Sequence, residues 1–406
     1  MQVSETIEIS GHLIDSGSLS KILDDIREYG GDFVIDRLDV GKDPDDESHA
    51  RITVKAGPED LPRLLMRLQT HGANLVEPGE ITVKPADADG VFPDDFYSTT
   101  NLETVVRLRG TWVPVDNPEM DCGLLVEGDR VRTIPVSEVK TGDMIVCGAS
   151  GVKVVPLASR LVSSGDPSFE FMNSDVSSEK PQSLLVRQIA EQMREVKSEG
   201  KKVLWVGGPA VVHTGAAPAM VSLVEAGYVD VLFAGNALAT HDIEAALFGT
   251  SLGVDLAKGR GVEHGHEHHI RAINKIRRAG SIAAAVETGV LNGGIMHAMV
   301  KNGKKFVLVG SVRDDGPLPD VYTDVIEGQQ AMRAELHGVG FAIMVATMLH
   351  SVATGNILPA SIPLVCVDIN PATVTKLADR GSAQARGIVT DIGLFLEQLS
   401  RELSAV

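Results

Sequence analysis

Three apolar runs in the second half of the chain each end at glycine: Val203-Leu204-Trp205-Val206-Gly207-Gly208-Pro209, Val231-Leu232-Phe233-Ala234-Gly235-Asn236-Ala237 and Phe306-Val307-Leu308-Val309-Gly310-Ser311. Runs this short and this apolar suit central strands of a parallel sheet buried on both faces, and ligands of such sheets sit at the carboxyl ends of the strands. Glycine at those ends lets backbone N–H groups approach a phosphate, and the start of a following helix adds a favourable dipole. The expected fold class is therefore α/β, with a Rossmann-like domain over 181–406 and a dinucleotide as its first expected ligand. A fourth run, Pro363 to Asp368, ends in an acid just before Asn370-Pro371 opens a helix.

The first 85 residues alternate differently. Leu19, Ile22, Leu23 and Ile26 repeat at helical spacing, as do Leu61, Leu64, Leu65 and Leu68, between strand-like segments near Ile7, at 32–40 and at 50–55. The order β-α-β-β-α-β predicts a ferredoxin-like α+β domain over 1–85. Pro85 and 86–90 read as a linker into a small β module over 86–165, where Glu127-Gly128-Asp129 signals a hairpin. A second linker is expected over 163–181. The acidic turn at 41–47 reads as a solvated hairpin loop.

Several polar positions could carry chemistry, each with a plainer alternative. Gly207-Gly208-Pro209 is not GxGxxG, and Pro209 removes a donor, so tight-turn glycine competes with phosphate binding. Asp368 could accept ribose hydroxyls or cap the next helix. His213 and His241 lie just past strand-end glycines, where imidazole can move a proton near neutral pH. In the segment Arg313 to Asp320, a solvated turn competes with a site in which an aspartate holds an amine and Arg313 meets a phosphate or carboxylate. The cluster His264 to His269 lacks HExxH or paired CxxC spacing, so a loop entering a helix is favoured over zinc and no metal is expected. Cys122 has no neighbouring histidine in sequence.

The stretches Gly207 to Pro209, Phe233 to Asp242, His264 to Asn274 and Gly310 to Asp320, together with Ile9 to Asp15 and Asn117 to Gly123, resemble the LOR/SDH-region family, the NAD-dependent ornithine cyclodeaminase type also found in the C-terminal half of arginine dihydrolase fusions. The resemblance covers essentially the whole chain. It implies a deoxyhypusine synthase-like NAD domain, which explains the absence of the usual fingerprint. It also implies conversion of L-ornithine to L-proline and ammonia: hydride leaves the α-carbon for NAD, the δ-amine attacks the resulting imine, ammonia departs and the hydride returns. On that footing Gly207, Gly208, Gly235, Asn236, Ala237, Ser311, Arg313 and Asp368 are expected at the cofactor. Asp121, Cys122, His213, His241, Asp320 and Asp391 are expected at the substrate.

Charge and composition narrow the field. With 37 Lys plus Arg against 55 Asp plus Glu, a net charge of -18 disfavours nucleic-acid and anionic-membrane partners. The apolar stretch from Val339 to Leu349 is too short for a bilayer span, and the N-terminus lacks a signal-peptide pattern. Cys122, Cys147 and Cys366 form no CxxC pair. A cytoplasmic homo-oligomer acting on a small amino acid is the expectation. A deoxyhypusine synthase-like transferase would need a lysine beside a strand-end glycine, and Lys258, Lys275, Lys301 and Lys304 are not so placed. A dehydrogenase or reductase of a lysine- or saccharopine-type amino acid competes with the cyclodeaminase among enzymes, and a ligand-sensing regulator competes from outside them.

Overall fold

The computed structural model describes residues 3–14, 17–42, 46–76, 78–155, 182–251, 254–255, 267–314, 316–379 and 385–404. The expected linker at 163–181 and part of the acidic turn at 41–47 lie outside them. The chain divides into two compact units, Met1–Asn173 with Asn356–Ser361, and Ser174–Gly355 with Ile362–Val406.

The first unit begins with β1 (Val3–Gly11), α1 (Ser18–Glu28), β2 (Asp32–Asp39), β3 (Ser48–Ala56), α2 (Asp60–Gln69) and β4 (Asn74–Leu75). The sheet order is β2-β3-β1-β4 with every pair antiparallel, a ferredoxin-like arrangement. The helical stripes read from sequence form its core: Ile22, Ile26, Leu64 and Leu68 pack with Ile7, Ile9, Ile52 and Val54.

A second sheet follows, built from β5 (Thr82–Pro85), β6 (Thr104–Leu108), β7 (Thr111–Asp116), β8 (Gly123–Glu127), β9 (Arg130–Ile134), β10 (Met144–Cys147) and β11 (Val152–Val154). The expected linker at 85–90 is instead partly woven into this sheet. β5 pairs with β10, and buried Ala86 donates to the Asp143 carbonyl at 2.8 Å. The two sheets share one unit. Gln69 Nε2 donates to the carbonyls of Ala149 and Val152, and Asn74 exchanges two 2.8 Å bonds with Val154.

The second unit runs α3 (Gln182–Ser198), β12 (Lys202–Gly207), α4 (Ala210–His213), α5 (Ala217–Glu225), β13 (Val231–Gly235), α6 (Asn236–Phe248), β14 (Thr250–Ser251), β15 (Val254–Asp255), α7 (His268–Ala279), α8 (Ile282–Glu287) and α9 (Gly294–Lys301). It continues with β16 (Lys305–Val309), β17 (Val321–Tyr322), α10 (Val325–Glu335), β18 (Val339–Val345), α11 (Met348–Ile357), β19 (Leu364–Asp368), α12 (Pro371–Asp379), β20 (Ala385–Val389) and α13 (Ile392–Ser404). Seven strands form one parallel sheet in the order β17-β16-β13-β12-β18-β19-β20. The chain winds outward from β12 in one direction and then returns to β18 to wind outward in the other. A crevice at the carboxyl ends of β12 and β18 follows from that reversal.

The glycine-terminated runs are the inner strands β12, β13 and β16, as their uninterrupted apolarity requires. Trp205 is fully buried among them and donates its indole N–H to the Tyr228 carbonyl at 3.0 Å. Asp242, on α6, is 1% exposed and accepts the backbone N–H groups of Ile295 and Met296 at the start of α9, at 2.7 and 2.8 Å. Burial pushes its carboxyl up to about 6, the two N–H groups pulling the other way. Gly294, at φ 90, makes room for this contact: a Cβ there would lie 2.7 Å from a carboxylate oxygen. Among the described residues no helix is long and apolar enough to cross a membrane.

Candidate functional site

At the switch point the chain is drawn very close to itself. A Cβ on Gly208 would fall 1.8 Å from the Ala346 carbonyl oxygen, and Ala346 itself takes φ 54, a conformation rare outside glycine. The Gly208 N–H is spent on the Val345 carbonyl at 2.9 Å. Gly208 therefore serves the crevice by closeness rather than as a free donor. Gly207 leaves space filled by Leu238, whose side chain would be 2.8 Å from a Cβ.

The end of β13 is better furnished with donors. α6 starts directly after Gly235 with no side-chain cap, so the N–H groups of its first turn, from Asn236 and Ala237 onward, face the strand end with the positive end of the helix dipole. That arrangement suits a phosphate. Gly235 has no Cβ where the ring of His350 on α11 approaches: the Cε1 atom would be 3.0 Å away. His350, unsuspected from sequence, lies with Nε2 3.3 Å from the Val309 carbonyl, and burial lowers its pKa. Its only signal is position, a few residues past an apolar strand end.

Asn236 has a structural duty. Its Oδ1 accepts the N–H of Leu318 at 3.0 Å and the Thr240 hydroxyl at 3.3 Å, holding the loop after β16. In that loop Ser311 and Arg313 are exposed; the Ser311 N–H donates to Asp314 and the Ser311 hydroxyl accepts from the Arg313 N–H. Asp320 accepts the Ile282 N–H at 2.8 Å, at the start of α8, and burial raises its carboxyl pKa. Asp391 accepts the Leu394 N–H at 2.9 Å and so caps α13. Asp368 ends β19 almost buried, its Oδ1 accepting the Asn370 N–H at 2.8 Å.

Imidazoles gather beside the β12 and β13 ends. The His213 and His241 ring centroids are 4.8 Å apart, edge to face, and His269 lies 6.4 Å from His241. His213 Nδ1 is 2.6 Å from the Ser251 hydroxyl, and burial, then His241, lowers its pKa. His241 Nδ1 is 2.9 Å from Glu244, a fully buried carboxylate that sequence reasoning missed. The spacing His-x-x-Glu on one helix face could have signalled it. Of the His264 to His269 cluster, residues 264–266 lie outside the described residues, while His268 and His269 open α7.

Asp121 and Cys122 belong to the first unit. Asp121 is exposed in a loop where it and Asn117 both have positive φ, at 59 and 50, and buried Cys122 donates to Glu119 at 2.9 Å. The expected substrate residues thus fall in two units.

The family described as "Arginine dihydrolase ArgZ-like, C-terminal, Rossmann fold" matches residues 187–399, its first region residues 103–186, and the "LOR/SDH bifunctional enzyme conserved region" residues 4–102. The chain belongs to the ArgZ-like, LOR/SDH family. One ArgZ-like relative, the ornithine cyclodeaminase of Methanothermobacter thermautotrophicus, is 53% identical over 400 residues, covering 98% of this chain and 97% of that one. The apo crystal structure of ArgZ, an arginine dihydrolase from cyanobacteria, superposes with a TM-score of 0.86 at 36% identity over 100% of this chain. The ternary complex of AgrE with ornithine and NAD+ superposes at 0.54 with 39% identity, again over 100% of this chain. The chain spans 58% of the ArgZ and AgrE chains.

Proposed function

We propose that this ArgZ-like protein is an NAD-dependent ornithine cyclodeaminase, converting L-ornithine to L-proline and ammonia. The observation carrying this reading is the full-length likeness, 53% identity across 98% of the chain, to a protein named for that activity. A complex of AgrE, 39% identical over the whole chain, with ornithine and NAD+ supports the same cofactor and substrate.

The uncapped start of α6, the tight Gly208–Ala346 crevice and the acid closing β19 are the features that suit a dinucleotide. In this reading Asn236 and Ala237 offer backbone N–H groups to phosphate, Gly207, Gly208 and Gly235 keep the crevice free of Cβ atoms, Ser311 and Arg313 cover it, and Asp368 meets a ribose. NAD, when bound, supplies a reversible hydride acceptor. The protein's part is to fix the substrate α-carbon beside it and to move protons, for which His213 and His241 are the proposed groups. Amine binding falls to Asp121, Asp320 or Asp391, with Cys122 beside Asp121; the capping bonds of Asp320 and Asp391 give those two a structural role as well. A cytoplasmic homo-oligomer serving proline formation and arginine breakdown completes the proposal. Exposed Val312 and Ile369, on two strand-end loops, and Leu349, at the start of α11, support association.

The test is stoichiometric. Purified protein given L-ornithine and catalytic NAD should release proline and ammonia in equal amounts without steady growth of NADH absorbance. Continuous NADH growth would make it a dehydrogenase, and absence of ammonia would end the proposal.

A further inference from the structure

Glu244 sits on α6 one turn beyond His241 with no exposure to solvent. Burying a carboxylate costs several kcal/mol unless its acceptors are filled, and a core helix position would ordinarily take an apolar residue. Here both oxygens are engaged by side chains. Oε2 lies 2.9 Å from His241 Nδ1, and Oε1 accepts the Thr250 hydroxyl at 3.0 Å. Thr250 Oγ1 is in turn 2.8 Å from His268 Nδ1.

With Glu244 ionised, counting hydrogens gives the protonation pattern. A hydroxyl has one proton, and Thr250 gives it to Glu244, so its oxygen faces His268 as an acceptor and Nδ1 of His268 must carry hydrogen. A carboxylate oxygen only accepts, so Nδ1 of His241 must carry hydrogen as well. In the neutral ring of His241 the acceptor is then Nε2, and a buried partner prevents the tautomers from exchanging.

We propose that Glu244 is the positioning residue of the cyclodeaminase, holding His241 as the Nδ1–H tautomer so that Nε2 is the atom that takes and returns the substrate proton. This rests on the reading of His241 as the proton carrier. Among the described residues, His241 is faced by Glu244 from its own helix, by His213 from α4 and by His269 from α7, with His268 joined through Thr250.

The experiment combines kinetics with histidine 15N NMR on full-length protein. Wild type should show the neutral ring of His241 with a protonated Nδ1 and an unprotonated Nε2; the opposite tautomer overturns the proposal without any variant. Glu244→Gln should mix the tautomers, lower kcat on the order of ten- to a hundredfold and leave KM and NAD affinity within about threefold. If that variant does not fold, Glu244→Asp, which keeps the charge but draws back the oxygens, should give the same tautomer mixing. Loss of activity in Glu244→Gln with the tautomer unmoved would reduce Glu244 to a packing role and overturn the proposal. His241→Gln separates the two readings: if it is inactive while Glu244→Gln is normal, only the positioning role fails, and if it is fully active, the proton-carrier reading fails and takes this one with it.

Discussion

At the amino edge of the parallel sheet, Asp230 gathers Lys197 at 2.7 Å, Lys304 at 2.8 Å and the Val203 N–H at 2.9 Å. At the carboxyl edge, Asp320, Asp368 and Asp391 each accept a backbone N–H, and no ion pair to any of them is formed among the described residues. One edge cancels its charge with side chains that join α3, β12, β13 and β16. The other fixes its loops through the backbone and carries the imidazoles and glycines of the proposed site. Burial alone would raise the pKa of Asp230, but Lys197 and Lys304 outweigh it and lower it. The difference teaches where stability and binding can be separated in this sheet.

Three substitutions would break or sharpen that contrast. Asp230→Ala strands two partly buried lysines and an N–H group, and should cost about 3 kcal/mol in urea unfolding while the folded enzyme keeps its kcat. The wild-type contribution has a defined pH window: a carboxylate with a depressed folded pKa contributes fully above its unfolded value near 3.9 and loses that contribution as pH falls through the folded one. An unchanged midpoint at pH 7 would put the foundation elsewhere.

Gly208→Ala acts on the other edge. Its methyl group must displace the Ala346 carbonyl, at an overpacking cost of about 1–3 kcal/mol, and calorimetry should find NAD binding weakened at least tenfold (~1.4 kcal/mol). Unaltered NAD affinity would mean that the cofactor does not use the β12–β18 crevice. Smallest of the three is Asp320→Asn. Asparagine serves a helix start about as well as aspartate, so stability should hold within about 0.5 kcal/mol and kcat/KM should change little. A ten- to hundredfold fall in kcat/KM would instead give Asp320 the substrate amine.

The contrast is only half legible in the sequence. β12, β13 and β16 can be read because glycine closes each apolar run, and α1 and α2 because their apolar stripes keep helical spacing. β18 escapes such a reading. Val339 to Leu349 is apolar but for Thr347 across a strand, a left-handed residue at Ala346 and the start of α11, and no glycine or proline marks the break. β5 is hidden for the opposite reason, because Pro85 and the acidic, glycine-bearing stretch after it imitate a linker although the strand pairs with β10. The His-x-x-Glu spacing on α6 could have signalled Glu244, but local composition does not reveal His350, whose surroundings come from a distant strand. The histidines at 213 and 241 are legible because each follows a strand-end glycine within a few residues.

The place of β12 in the sheet also bears on how the chain is made. Leu204 pairs with Val231 on one side and with Ala342 on the other. During synthesis the first partner emerges almost at once. The second is 138 residues later, a delay of roughly 7 to 28 s at 5–20 residues per second. Throughout that interval one edge of the apolar β12–β13 pair has no native neighbour and is open to pairing with another nascent chain. A ribosome pausing between β16 and β18 would lengthen the exposure, so codon choice over 310–338 is expected to influence yield more than codon choice in the strands flanking it.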